Sequence, residues 1–195
     1  PAPARPSLAP VLLILPRAAL LASCASPAKP PAPVAAGANL LLVTVDTLRP
    51  DRLSCYSDAH ARTPAIDALA ARGVLFERAF SHAPLTLPSH ANILLGAASP
   101  AHGVVDNGLA VVPSELPGLA KTLKAAGYET GAFVSAFPLD ARFGLDEGFD
   151  IYDDSYPARA AAAMDYPERP AAKTVAAALD WLGGRTGKWF LWVHV

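Results

Sequence analysis

The run Asn39-Leu40-Leu41-Leu42-Val43-Thr44-Val45-Asp46 constrains the fold more than any other segment. From Leu40 it is continuously apolar apart from one threonine, and it closes on a carboxylate. A run of large aliphatic and β-branched residues with no polar face fits a central strand buried on both sides, as in a parallel sheet. Tyr128 to Ser135 predicts a second strand, Phe149 to Tyr152 a short one, and Trp189 to Val195 the last; Val74 to Phe80 predicts a short extended segment. Helices are expected between them. Thr63-Pro64 opens the first, with Ile66, Leu69 and Ala70 on one face and Gly73 as its stop. Pro88 begins the second, which runs to about Leu95 and stops at Gly96. Ser114 caps the third, with Leu116, Leu119, Ala120 and Leu123 inward and Gly127 at its end. Pro170 to Leu182 is an Ala-rich fourth, ended by Gly183-Gly184. Strands alternating with helices predict an α/β fold, a mostly parallel sheet with helices on both faces.

The net charge of −1 gives no electrostatic case for nucleic acid as a specific partner or for an anionic membrane surface. Residues 1–24 read as a signal/lipoprotein leader and residues 25–38 as a Pro/Ala-rich tether without a core. The apolar stretch from Ser7 to Ser23 is short and interrupted by Pro10, Pro16 and Arg17, so it suits a secretory signal better than a membrane span. Leu21-Ala22-Ser23-Cys24 is similar to a bacterial lipobox, which makes Cys24 the candidate lipidation site and a lipid anchor the expected membrane contact. The expected location is the periplasm or cell surface. With Cys24 lipidated, Cys55 has no partner and is expected to be a small buried residue. The chain starts with Pro1 and stops inside an apolar run, so a piece of a longer protein is expected.

Three elements can carry chemistry. Asp46 ends the first strand, and ligand sites in parallel sheets lie outside the carboxyl ends of the strands. Taken alone, such an aspartate also suits a plain turn cap. Thr86 lies just before Pro88, at a helix N-terminus whose partial positive charge favours an alkoxide and an anionic substrate. A simple capping threonine is the alternative. Pro100 to Gly108 contains His102-Gly103 and Asp106-Asn107-Gly108, which by itself is turn chemistry.

In this order and spacing, residues 39–195 resemble the N-terminal part of the catalytic domain of the sulfatases and their alkaline-phosphatase-superfamily relatives. The likeness is carried by Asp46-Thr47-Leu48-Arg49-Pro50-Asp51, Thr63-Pro64 with Asp67-Ala68-Leu69-Ala70, Gly73-Val74-Leu75-Phe76, Thr86-Leu87-Pro88-Ser89-His90 with Gly96, and His102-Gly103-Val104 with Asn107. Phe143-Gly144-Leu145, Gly148-Phe149-Asp150 and the Trp189 to His194 segment add to it. The resemblance implies metal-assisted displacement on a sulfate or phosphate ester, with a small-molecule ester as partner. Asp46 matches the family's first metal-binding aspartate. Thr86 falls on the nucleophile of the pattern Cys/Ser-x-Pro-Ser-Arg.

Here the sequence departs from the sulfatases. They oxidise Cys or Ser at that place to formylglycine; Thr would give a ketone, so no formylglycine is expected. His90 replaces the family's Arg, and Thr47 replaces the second Asp of an Asp pair. The combination resembles the nucleotide pyrophosphatase/phosphodiesterases, which use a Thr nucleophile held by two zinc ions. That resemblance implies Thr86 as nucleophile and metal ligand, Asp46 and Thr47 at the metal, Asn107 as an oxyanion contact, and Zn2+ ahead of Ca2+. His90 is either an anion-facing donor or a helix-surface residue. His60, His82 and His102 show no ligand spacing and are expected to be structural or exposed; His194 receives no role. The resulting expectation is a phosphodiester or phosphomonoester hydrolase, inactive as this piece because one Asp and one Thr cannot hold two zinc ions. An arylsulfatase and a non-catalytic binding protein on the same fold are the alternatives.

Overall fold

The computed structural model describes residues 37–57, 61–156 and 168–195. The leader, Cys24, His60 and nearly all of the tether lie outside the described residues.

Among the described residues four parallel strands form one sheet: β1 (Leu40–Thr44), β2 (Glu129–Phe133), β3 (Ile151–Asp153) and β4 (Trp189–His194), in the spatial order β1-β4-β2-β3. The helices are α1 (Pro64–Arg72), α2 (Thr86–Leu95), α3 (Ser99–His102), α4 (Leu119–Ala125) and α5 (Ala171–Gly183). The chain is thus α/β with a parallel sheet, as expected.

Alternation along each strand sends side chains to two cores. On one face Ala132, Val134, Phe190 and Trp192 meet Leu87, Ala91 and Leu94 of α2 and Ala120 of α4. On the other face Phe133, Leu191 and Val193 pack with Ala178 of α5. Gly131 makes that second contact possible. A Cβ there would stand 2.9 Å from the Trp181 ring of α5, so only glycine admits the helix at this distance.

Several expectations are corrected. The run expected to be central, β1, is an edge strand among the described residues, pairing with β4 alone. Leu41 and Val43 are each 53% exposed, because α5 packs over β2 and β4 and leaves β1 uncovered. The buried centre of the sheet is β4 with β2. Residues 74–80 form no strand, and Val74, Phe76 and Phe80 are exposed, with no neighbouring strand described for them to pair with. Ile66 and Leu69 of α1 also face out.

The third expected helix starts at Leu119 after Gly118, not at Ser114. Pro117 disfavours helical backbone at Leu116 and so delays the start. Conversely, α2 begins at Thr86, earlier than Pro88, and α3 arises where only a loop was expected. Thr63 precedes α1, but its hydroxyl joins Ser54 and the Asp67 carboxylate in a side-chain network in place of a cap to the helix backbone. Cys55 is a half-buried free thiol. Among the described residues no helix is long and apolar enough to cross a membrane.

Candidate active site

The pairing of β1 with β4 continues past the strand ends. Val195 N–H donates to Thr44 O at 3.0 Å, and Asp46 N–H donates to Val195 O at 2.8 Å. This ladder delivers Asp46 to the carboxyl edge of the sheet. There the chain turns sharply at Thr47, whose φ of 53° is the only positive value at a non-glycine position among the described residues. A β-branched residue in the left-handed region is a local strain. Its effect is visible: the Thr47 N–H folds back to donate to Asp46 Oδ1 at 2.9 Å. The carboxylate is thereby fixed by its own successor. Arg49 then grips Asp51 through two contacts of 2.9 Å on the exposed loop, and the pair holds the Asp51 carboxyl below the usual carboxylate range.

Thr86 arrives from the opposite side, as the first residue of α2. Its Oγ1 donates to Asp46 Oδ2 at 3.1 Å. Two residues forty positions apart therefore share one hydrogen bond where β1 and α2 meet. Fewer backbone donors are free at this helix end than the sequence implied. Pro88 has no N–H, Ser89 N–H already reaches Leu85 O at 3.0 Å, and Leu87 N–H donates to Asn107 Oδ1 at 2.8 Å. Asn107 thus caps α2 from a separate loop. Because that contact fixes the amide oxygen, the Nδ2 group is left free for another acceptor.

His102 holds the loop in place. Its Nδ1 accepts from Val104 N–H at 3.1 Å, so Nε2 carries the hydrogen and donates to Asn92 Oδ1 on α2 at 2.6 Å. His102 is a buried structural residue, whereas His82 is exposed. His90 is not a helix-surface residue: it is 6% exposed, and its Nδ1 lies 2.7 Å from Thr86 O. Burial lowers its pKa, which favours the neutral ring. In that state Nδ1 holds the hydrogen and Nε2 offers only a lone pair, so its geometry does not suit an anion-facing donor. His194, beside it, is driven down to about 4 by burial first and by the proximity of His90 second.

Asp46, Thr47, Thr86, His90 and Asn107 all line one open crevice of about 420 Å3, floored by the ends of β1 and α2. The sequence missed Trp192 and left His194 without a role. Trp192 is buried and its Nε1–H donates to Thr44 Oγ1 at 3.0 Å, two residues before Asp46. Only the strand register brings these positions together, so no local signal marks them.

A carboxylate and a hydroxyl in contact suit a hard or borderline divalent cation. Among the described residues, however, no three His, Cys, Asp or Glu side chains converge to hold one. The donors present are a partial set, short of the four that zinc takes or the six to eight of calcium.

Comparison with known proteins places this architecture. The chain is 34% identical over 122 residues to the N-acetylglucosamine-6-O-sulfatase of Bacteroides thetaiotaomicron, covering 62% of this chain and 21% of that protein. It is 36% identical over 133 residues to the steryl-sulfatase of Mus musculus, covering 61% of this chain and 21% of that protein. The chain therefore spans about a fifth of the length of these curated relatives. Among solved structures, the phosphonate monoester hydrolase of Agrobacterium radiobacter superposes with a TM-score of 0.63 at 23% identity, over 80% of this chain and 40% of that one. The C-terminal periplasmic domain of EcEptC from Escherichia coli, solved in complex with Zn, gives 0.59 at 20% identity, over 81% and 43%. At these identities the structures share the fold. The family model described as Sulfatase matches residues 38–195, and the chain belongs to the sulfatase family.

Proposed function

We propose that the complete protein is a metal-dependent hydrolase of a sulfate or phosphate ester, favouring phosphodiesters or phosphomonoesters, with Thr86 as the nucleophile. The observation that carries this reading is the 3.1 Å hydrogen bond from Thr86 Oγ1 to Asp46 Oδ2 in the crevice at the carboxyl edge of the sheet. That bond orients the hydroxyl hydrogen toward the carboxylate and leaves oxygen lone pairs for an electrophilic phosphorus or sulfur. Attack forms a bond from Thr86 Oγ1 to the transferred group as the ester oxygen leaves, and water later cleaves the threonyl ester. Asn107, locked by Leu87 N–H, presents its Nδ2 hydrogens to the oxygens of the transferred group. Asp46, Thr86 and Thr47 would hold part of a divalent cation, Zn2+ first and Ca2+ as the alternative, which lowers the hydroxyl pKa and offsets charge on the transferred group. The remaining ligands belong to the rest of the complete protein, and the present piece is expected to turn over little or nothing. Export to the periplasm or cell surface through a Cys24 lipid anchor is part of the same reading.

An arylsulfatase is the second reading, favoured by the sulfatase names of the relatives at 34–36% identity. Against it stands Thr86, which cannot yield an aldehyde by the oxidation that makes formylglycine. Rates of the complete protein on bis-p-nitrophenyl phosphate and p-nitrophenyl sulfate separate the two. Dominant phosphodiesterase activity that disappears in Thr86→Ala supports the proposal; sulfate turnover alone, or full activity in Thr86→Ala, overturns it.

A further inference from the structure

Among the described residues, three buried ring nitrogens have no hydrogen-bond partner: His90 Nε2 and both nitrogens of His194. The two rings meet edge to face with centroids 4.8 Å apart, and His194 is 1% exposed. His90 also lies 5.6 Å from the Trp192 ring, tilted by 32°, and the Trp192 and His194 rings are themselves 6.5 Å apart. The three rings form a triangle, so His90 packs against two side chains from the end of β4 that also touch each other. The His90 ring makes one hydrogen bond, at 2.7 Å, between Nδ1 and Thr86 O. A carbonyl only accepts, so Nδ1 is the donor.

Burying polar nitrogens without partners is unfavourable, and an apolar residue would fill the same space at lower cost. Of the four ring nitrogens of this pair, only His90 Nδ1 has a partner. The atom it serves belongs to the residue whose hydroxyl meets Asp46. Trp192 supplies the complementary half. Its Nε1–H reaches Thr44 Oγ1 at 3.0 Å and fixes the end of β1, two residues before Asp46. The end of β4 consequently touches both partners of the Thr86–Asp46 contact, one through Thr44 and the other through His90.

We infer that His90 is a positioning residue, whose Nδ1–H clamps the Thr86 carbonyl while its ring, seated on Trp192 and His194, registers the first turn of α2 on the end of β4. The spacing of the two residues suits such a clamp, since positions i and i+4 of a helix lie on one face. A displacement of about 1 Å at a reacting group costs on the order of 10²-fold in rate. The clamp acts on that scale without touching substrate. The inference rests on Thr86 being the nucleophile.

The test uses the complete protein carrying Thr86→Ala, His90→Asn or His90→Gln. Asparagine places an N–H near the Nδ1 position, whereas glutamine places one near Nε2. His90→Asn is expected to keep kcat within about threefold, and His90→Gln to lose about 10²-fold in kcat with KM nearly unchanged. His90→Gln with wild-type kcat, or with KM raised and kcat intact as for an anion-binding residue, overturns the inference. Equal loss of kcat in both variants, with both folded by thermal melting, overturns it too. Should His90→Gln fail to fold, 15N-histidine NMR of the wild type decides. A signal absent from His90→Asn must report a protonated Nδ1; a protonated Nε2 with a bare Nδ1 overturns the clamp. If Thr86→Ala keeps full activity, the nucleophile reading fails and takes the clamp with it. If Thr86→Ala is inactive while His90→Gln equals wild type, only the clamp fails.

Discussion

Replacing His194 with an apolar residue should flatten the acid limb of the stability profile. Burial against His90 and Trp192 lowers the His194 pKa from 6.5 to about 4. The unfolded chain therefore binds a proton that the folded chain refuses between those two values. Stability from this group is complete above pH 6.5 and falls as the pH drops toward 4, where the folded ring finally protonates. Each factor of ten in proton affinity is worth about 1.4 kcal/mol. The full difference then amounts to about 3 kcal/mol, of which about 2 kcal/mol is already lost at pH 5. Urea unfolding between pH 4 and 8 measures it directly, comparing wild type with His194→Phe. The two curves should run parallel above pH 7, and below it the wild type should fall by about 2 kcal/mol relative to His194→Phe by pH 5, because only the wild type surrenders this term. Carboxylates titrate alike in both proteins and cancel in the comparison. Curves that stay parallel down to pH 4 would show that His194 is not held neutral by burial.

Thr86→Ala should reduce turnover of the complete protein by about 10³-fold or more while leaving the melting temperature nearly unchanged, measured on a p-nitrophenyl ester. Asn107→Ala removes the acceptor for Leu87 N–H and should destabilise by about 1 kcal/mol, the usual worth of a helix cap. Asn107→Asp keeps the acceptor and should restore that stability without restoring turnover, because it lacks the donor. Gly148→Ala should destabilise by about 3 kcal/mol in chemical denaturation: its φ is 94°, and the new Cβ would lie 2.5 Å from the Lys121 backbone nitrogen.

The fold class was legible because strand-length apolar runs alternate with helix-length segments bounded by Pro and Gly. Burial was less so. The Asn39 to Asp46 run is as apolar as a central strand, yet β1 sits at the edge of the described sheet, and Leu41 and Val43 remain exposed. Composition reports what a strand can bury, not which neighbours are there to cover it. The meeting of Asp46 with Thr86 follows from family resemblance; spacing alone left each as a plain cap. The roles of Trp192 and His194 were invisible for a physical reason. Their contacts with Thr44 and His90 span about a hundred residues or more and depend on parallel register. The strained turn at Thr47 was equally hidden, since a threonine gives no local signal for left-handed backbone.

The proposed chemistry requires Asp46 and Thr86 to bind the same cation. A crystal structure of the complete protein, with anomalous data collected at the zinc edge, measures this directly. The predicted result is a zinc peak about 2 Å from both an Asp46 carboxylate oxygen and Thr86 Oγ1. A metal peak ligated by neither residue, or Thr86 turned away from Asp46 with the metal bound elsewhere, would contradict it.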